Sequence, residues 1–378
     1  MLPAIKMMKY IRNIGLLVFL MTLFIVDCNN TPTGFIEEEV LFKNKLDGAI
    51  FSGTLTKPIG KEIFPVAILI SGAGQQDRDE TVYGHKPLKE LAEFLSKNGY
   101  GVLRYDNRGI GDSKGDVWNA TIEVQASDAY AGFQYLKTRK DVDSENIGII
   151  GHSLGAMQGT ILASKYEDIS FLIMLGGIGL PYSDNHIKAD SLTNTIKGEL
   201  KETVEAGSEL LKALLTEMKE TPQDQDYKTT RSNLAKIVED WQSSLSGKAK
   251  FEIEQFSKSS PNFFIINFAE EYATPIYISC AKYDPAKYLT KIQCPVLSII
   301  GEKDVQVVAE NNKAIEEHLE NGGNRNHLVI APKNINHLFQ SCETGLISEY
   351  ETIGEDFNME IMILIKDWLN EIKADNTQ

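Results

Sequence analysis

Six short apolar runs punctuate the chain: PVAILIS (65–71), YGVLRYD (100–106), NIGIIG (146–151), SFLIML (170–175), CPVLSIIG (294–301) and NHLVIAP (326–332). Each is bounded by turn residues, rich in β-branched side chains and too short for a buried helix, so each reads as a strand covered on both faces. Between them lie segments with helical spacing: KPLKELAEFLSKNG, closed by Gly99, then TIEVQASDAYAGFQYLKTR, then LGAMQGTILAS after Ser153. Alternating strand and helix of this kind builds an α/β fold, a mostly parallel central sheet flanked by helices. Such sheets bind ligands beyond the carboxyl ends of their strands. Upstream, FIEEEVLFKNKLDGAIFSGTLTKP reads as a hairpin turning at Leu46-Asp47-Gly48 and joining the sheet.

The alternation stops between residues 183 and 284. There ELKETVEAGSELLKALLTEMKE and NLAKIVEDWQSSLSG carry apolar residues at helical spacing, and PNFFIINFAEEY adds aromatics. This segment is expected to be a helical cap inserted between two strands, dividing the core into 65–182 and 285–378, with 29–64 as linker and hairpin. Residues 1–28 differ in kind: Lys6, Lys9 and Arg12 precede the apolar run from Ile14 to Val26. That run is shorter than the roughly 20 residues of a spanning helix, and a basic start, apolar core and polar exit describe a secretory signal. Export is the expectation, to the periplasm or to a membrane as an anchored lipoprotein. Cys28 resembles the acceptor cysteine of a bacterial lipoprotein signal, although Asp27 stands where a small residue is usual, so lipidated Cys28 and simple cleavage both remain open. The net charge of -15, with no dense Lys/Arg run, argues against a nucleic-acid partner. Beyond Cys28 the cysteines are Cys280, Cys294 and Cys342, an odd number, so no complete disulfide framework is implied. A Cys280–Cys294 pair and free buried thiols are both admissible, and the oligomeric state is not encoded legibly.

Gly151-His152-Ser153-Leu154-Gly155 sits between the strand IGII and the helix LGAMQGTILAS. In that context a G-x-S-x-G pentapeptide is a nucleophile elbow, whose glycines leave room for a strained turn. A serine hydroxyl needs a base and a group to orient it. Of the six histidines, His152 is expected to point away along the turn, His85 and His186 precede regions without a strand end, His318 lies inside a helix, and His327 opens the last strand. His337, in the loop after that strand, shares the rim with Ser153 and is the expected base. The orienting acid comes from the end of CPVLSIIGEKDVQV: Asp304 is preferred over Glu302. Oxyanion donors are expected from the backbone N–H of Leu154 and from the loop after PVAILIS, at Ala73 or alternatively Gly74. The charged loop Asp106 to Asp112 is read as a bracing ion pair, while Arg78, Asp79 and Glu80 either contact substrate or brace their loop. No H-E-x-x-H, paired Cys-x-x-Cys or phosphate loop appears, so no metal or organic cofactor is expected.

The separated motifs GHSLG, YDNRGIGDSKG, CPVLSIIGEKD and INHLF make residues 65 to 370 resemble the α/β-hydrolase superfamily. SGAGQQDRDE followed by YDNRGIGDS is similar to a bacterial carboxylesterase group whose first loop reads close to GSGPQDRDE, with departures here at Ser71, Ala73 and Gln75. The resemblance implies the α/β-hydrolase fold and cofactor-free hydrolysis of small, short-chain carboxylic esters through an acyl-enzyme on Ser153, with His337 and Asp304 in the order the family uses. A peptidase or thioesterase on the same fold, or a surface binding protein without turnover, are the alternatives.

Overall fold

The computed structural model describes residues 34–222, 225–256 and 269–375. The signal-like segment with Cys28 and most of PNFFIINFAEEY lie outside the described residues. From Phe35 onward the chain forms eight strands: β1 (Phe35–Lys43), β2 (Ile50–Pro58), β3 (Phe64–Ile70), β4 (Gly101–Tyr105), β5 (Val142–His152), β6 (Leu172–Leu175), β7 (Val296–Ile299) and β8 (His327–Ile330). They lie in the order β1-β2-β4-β3-β5-β6-β7-β8. The first two are the expected hairpin, antiparallel to each other, and β2 runs antiparallel to β4. Every pairing from β4 to β8 is parallel.

Period-two alternation divides the strand side chains between two cores. Val66, Ile68 and Ile70 face one cluster with Leu172 and Met174, against α2 (Ile122–Leu136), α3 (Leu154–Ala163) and α10 (Glu310–Asn321). Ala67, Leu69, Ile173 and Leu175 face the other, against α1 (Pro87–Lys97) and α11 (Met359–Asp375). Helix boundaries follow local chemistry. Pro87 occupies the first turn of α1, where its missing N–H costs nothing, and Gly99, at φ +92°, turns the chain out of that helix. Thr121 caps α2 by accepting the Val124 N–H.

Between β6 and β7 the chain runs through α4 (Tyr182–Ile196), α5 (Lys201–Glu220), α6 (Tyr227–Ser244), α7 (Gly247–Phe256), α8 (Pro275–Ala281) and α9 (Pro285–Leu289). On α5 the side chains of Leu210, Leu211, Leu214, Leu215 and Met218 are buried, one apolar stripe at helical spacing. Among the described residues no helix is long and apolar enough to cross a membrane. Cys280, Cys294 and Cys342 are free thiols, so the 280–294 disulfide does not form.

Candidate active site

Ser153 stands between β5 and α3 with φ 53° and ψ -115°, a conformation that costs a non-glycine residue on the order of 1–3 kcal/mol. Its N–H donates to the Leu175 carbonyl at the end of β6 (2.8 Å). A Cβ at position 151 would lie 2.2 Å from the Gly155 carbonyl oxygen, and one at 155 would lie 2.2 Å from that of Ile70. Backbone crowds both positions, which is the steric reason for the two glycines.

Asp304 follows β7 and is buried. Its Oδ1 accepts the N–H groups of Gln306 and Val307, each at 2.8 Å, and its Oδ2 faces His337 Nδ1 at 2.8 Å. Glu302, by contrast, is exposed. The loop carrying His337 is pinned on itself: Asn336 Nδ2 donates to Gln340 Oε1 (3.0 Å) and the Gln340 N–H to Asn336 Oδ1 (2.9 Å). Gly176, the residue after β6, passes beside this pair. A Cβ there would be 3.1 Å from His337 Cε1.

Thus β5, β6, β7 and the segment after β8 bring Ser153, Asp304 and His337 to one edge of the sheet. Among the described residues no hydrogen bond joins Ser153 Oγ to His337; such contacts are often long until substrate is bound. The N–H of Leu154, first residue of α3, and that of Ala73 have no hydrogen-bond partner in the described chain. The neighbouring Gly72 N–H is occupied, donating to Glu80 Oε1 at 2.7 Å.

A cavity of about 210 Å³ opens at Ser153, Leu154 and Ala73 and extends between Met157 of the core and Tyr182, Ile276 and Tyr277 from the segment between β6 and β7. Arg78, Asp79 and Glu80 do not line it. Arg78 grips Asp106 through its N–H, Nε and Nη2 (2.8, 3.2 and 2.8 Å) and reaches Glu39 with Nη1. Asp79 pairs with the buried Arg104 and with Lys86. The charged side chains of Arg78 and Asp79 are thus engaged in ion pairs with neighbouring segments. Arg108 likewise closes on Asp128 and Asp47.

His152 departs from expectation, and His186 has a place that the sequence did not indicate. His152 does not point away: it is buried, its Nδ1 lies 2.8 Å from Glu80 Oε1, and its Nε2 lies 2.9 Å from the main-chain carbonyl of His337. Pairing across 72 and 185 residues of chain leaves no local signal. His186 on α4 lines the cavity, stacked on Tyr182 at 4.4 Å. Burial lowers its pKa to about 4, so the ring is neutral near pH 7. Only the i, i+4 spacing of Tyr182 and His186 hinted at that pairing.

A family model described as alpha/beta hydrolase fold matches residues 68–341. Esterase EstD of Thermotoga maritima is 27% identical over 313 residues, which cover 82% of this chain and 62% of that protein. The chain therefore spans less than two thirds of that relative's length. Among solved structures, the esterase Pf2001 of Pyrococcus furiosus aligns with a TM-score of 0.51 at 17% identity, covering 89% of this chain and 93% of that one. The alpha/beta hydrolase GrgF of Penicillium sp. sh18 aligns with a TM-score of 0.53 at 18% identity, covering 90% and 99%. At such identities the structural likeness is one of fold.

Proposed function

The chain belongs to the α/β-hydrolase fold family, and from that premise we propose that it is a serine hydrolase of small carboxylic esters, akin to the bacterial carboxylesterases whose first loop it resembles. The observation that carries the reading is the buried Asp304–His337 contact at 2.8 Å, on the same sheet edge as a strained serine that opens into a cavity. Asp304 is fixed by two backbone N–H groups on Oδ1, so Oδ2 accepts a hydrogen bond from His337 Nδ1–H, which keeps that proton on the ring and leaves Nε2 as the base. Nε2 removes the Ser153 proton as Oγ attacks the ester carbonyl carbon. The oxyanion is met by the N–H groups of Leu154 and Ala73, helped by the N-terminus of α3. His337 then returns the proton to the leaving alcohol and activates water to release the acid.

Size argues for short acyl chains. A cavity near 210 Å³ is only modestly larger than the roughly 150 Å³ that holds benzene, and smaller than the roughly 300–1,000 Å³ of drug-sized sites. The test is hydrolysis of p-nitrophenyl esters of increasing acyl length by protein lacking residues 1–28, beside Ser153→Ala. Activity on acetate and butyrate that falls about a thousandfold in the variant supports the reading. Folded wild type silent on esters, or a variant equally active, refutes it. The helices between β6 and β7 would act as a cap that sets specificity. We also propose that residues 1–28 direct export, with Cys28 the candidate lipid acceptor. Mass spectrometry of the mature N-terminus in the native host reads this directly, and an unprocessed Met1 would overturn it.

A further inference from the structure

Behind the Asp304–His337 contact lies a second buried carboxylate–histidine pair that the hydrolytic steps above do not use. Glu80 and His152 are 2% and 4% exposed. Glu80 Oε1 sits at a junction: it accepts the Gly72 N–H at 2.7 Å and faces His152 Nδ1 at 2.8 Å. The other ring nitrogen of His152 faces the main-chain carbonyl of His337, and the two imidazoles are 4.7 Å apart.

The partners dictate the protons. A carbonyl oxygen only accepts, so His152 Nε2 carries hydrogen. Glu80 Oε1 accepts the Gly72 N–H and lies 2.8 Å from Nδ1, which places a hydrogen bond at each nitrogen of the His152 ring. Burial alone would drive its proton off, but the Glu80 charge, the hydrogen bonds at both nitrogens and the more distant Asp304 hold its pKa above the ordinary value. The neighbouring His337 is the other titratable group in contact.

The arrangement is costly for stability alone. Glu80 adopts φ 55°, and its Oε2 is buried without a hydrogen-bond partner among the described residues, a condition that opposes folding. Strain and an unmet acceptor at one residue beside a reaction centre point to a geometric task. Resting on the hydrolase reading, we infer that Glu80 and His152 are positioning residues that couple the two halves of the reaction centre: Glu80 holds the Gly72–Ala73 loop for the oxyanion, and His152 holds the His337 loop.

The variants separate the two bonds. Asn at 152 keeps a donor near the place of Nδ1 and loses the one at Nε2; Gln does the reverse. The measurements are kcat and KM on p-nitrophenyl butyrate, and the rate at which a fluorophosphonate labels Ser153, in wild type, Glu80→Gln, His152→Asn and His152→Gln. Both loops act on the transition state, so Glu80→Gln and His152→Asn are expected to lower kcat and labelling about ten- to a hundredfold, with KM moved less than about threefold. His152→Gln, which regains the hold on His337, should recover part of the loss. Folded Glu80→Gln and His152→Asn with kcat and labelling within about twofold of wild type would overturn the inference. If Glu80→Gln does not fold, the His152→Asn and His152→Gln comparison decides alone. A wild type that is labelled but hydrolyses no ester refutes the ester reading and leaves the labelling rates to judge the pair. A wild type that is not labelled removes both.

Discussion

Substituting Gly176 by alanine tests the placement of the histidine without replacing any ionisable group. Gly176 adopts φ +64°, and an added Cβ would stand 3.1 Å from His337 Cε1, 3.3 Å from Nδ1 and 3.6 Å from Asp304 Oδ2. The first two distances are inside ordinary carbon and nitrogen contact, so the ring must yield by a few tenths of an ångström. It has little room, because the His152 ring lies 4.7 Å away. Left-handed backbone at an alanine costs about 1–2 kcal/mol by itself, which would confuse any activity loss with lost stability. Gly323 supplies the control: it has φ +83° and nothing within 4 Å of its would-be Cβ. Gly176→Ala and Gly323→Ala should therefore melt at similar temperatures, both slightly below wild type. Misplacing reacting groups by about 1 Å costs on the order of a hundredfold, so the smaller shift in Gly176→Ala is expected to lower kcat about tenfold. Its KM should hold, since Gly176 does not line the cavity. Gly323→Ala should keep wild-type kcat. Equal kcat for the two variants, measured on p-nitrophenyl butyrate, would refute the claim that His337 acts from this position.

Asp304→Asn should leave the amide oxygen on the Gln306 and Val307 N–H groups and turn its NH2 toward His337. The imidazole is then forced into the tautomer with hydrogen on Nε2, which cannot take the serine proton, and kcat should fall about ten-thousandfold at neutral pH; a loss under tenfold would return the role to another acid. Gly155→Ala would drive a methyl group against the Ile70 and Ser71 carbonyls at 2.2 and 2.7 Å, so soluble expression should collapse, and a well-folded, active variant would contradict the elbow geometry. His186 makes a pH prediction. Its folded pKa of about 4 lies below the 6.5 of the free side chain, so the unfolded chain binds the extra proton first. Stability is intact above about pH 6.5 and is lost as pH falls toward 4, by up to about 3 kcal/mol. Between pH 7 and pH 4 the urea midpoint of wild type should fall relative to that of His186→Phe, and parallel curves would argue against a ring held neutral in the folded state.

Legibility followed the range of the interactions. Strands buried on both faces declare themselves as unbroken apolar runs, and all eight expected strands form, although β8, at the edge of the sheet, is not covered on both faces as its run suggests: Leu328 is 42% exposed. Their ends are less clear: β5 begins at Val142, four residues before the apolar run, because pairing with β3 continues through a register shift between Phe64 and Val66. Ser153, Asp304 and His337 could be named as candidates because topology restricts the choice to strand ends, and the structure places Asp304 against His337. Glu80 could not, because its role depends on a positive φ and on His152, both set by tertiary contacts. The helices between β6 and β7 were readable as amphipathic, but an apolar stripe does not say which neighbour it meets. His186 was therefore passed over, although it faces the cavity.

The charged residues of the loop from Asp77 to Glu80 follow from the same geometry. Asp77 caps the turn through the N–H groups of Asp79 and Thr81, Arg78 closes on Asp106, Asp79 on Arg104, and Glu80 on His152. Ion pairs this deeply placed add little stability over apolar residues of the same shape, since desolvation offsets most of the attraction. Their directional bonds do something an apolar cluster cannot. Arg78 ties the loop to the end of β4, Arg104 ties it to the strand itself, and Glu80 ties it to the elbow. A segment fixed at three points leaves the Ala73 N–H little freedom. An oxyanion donor gains its advantage from being oriented before charge develops. On the proposed mechanism the charge density of this loop is the means of holding one backbone N–H still, and substrate selection is left to the cavity that opens beside it at Ser153.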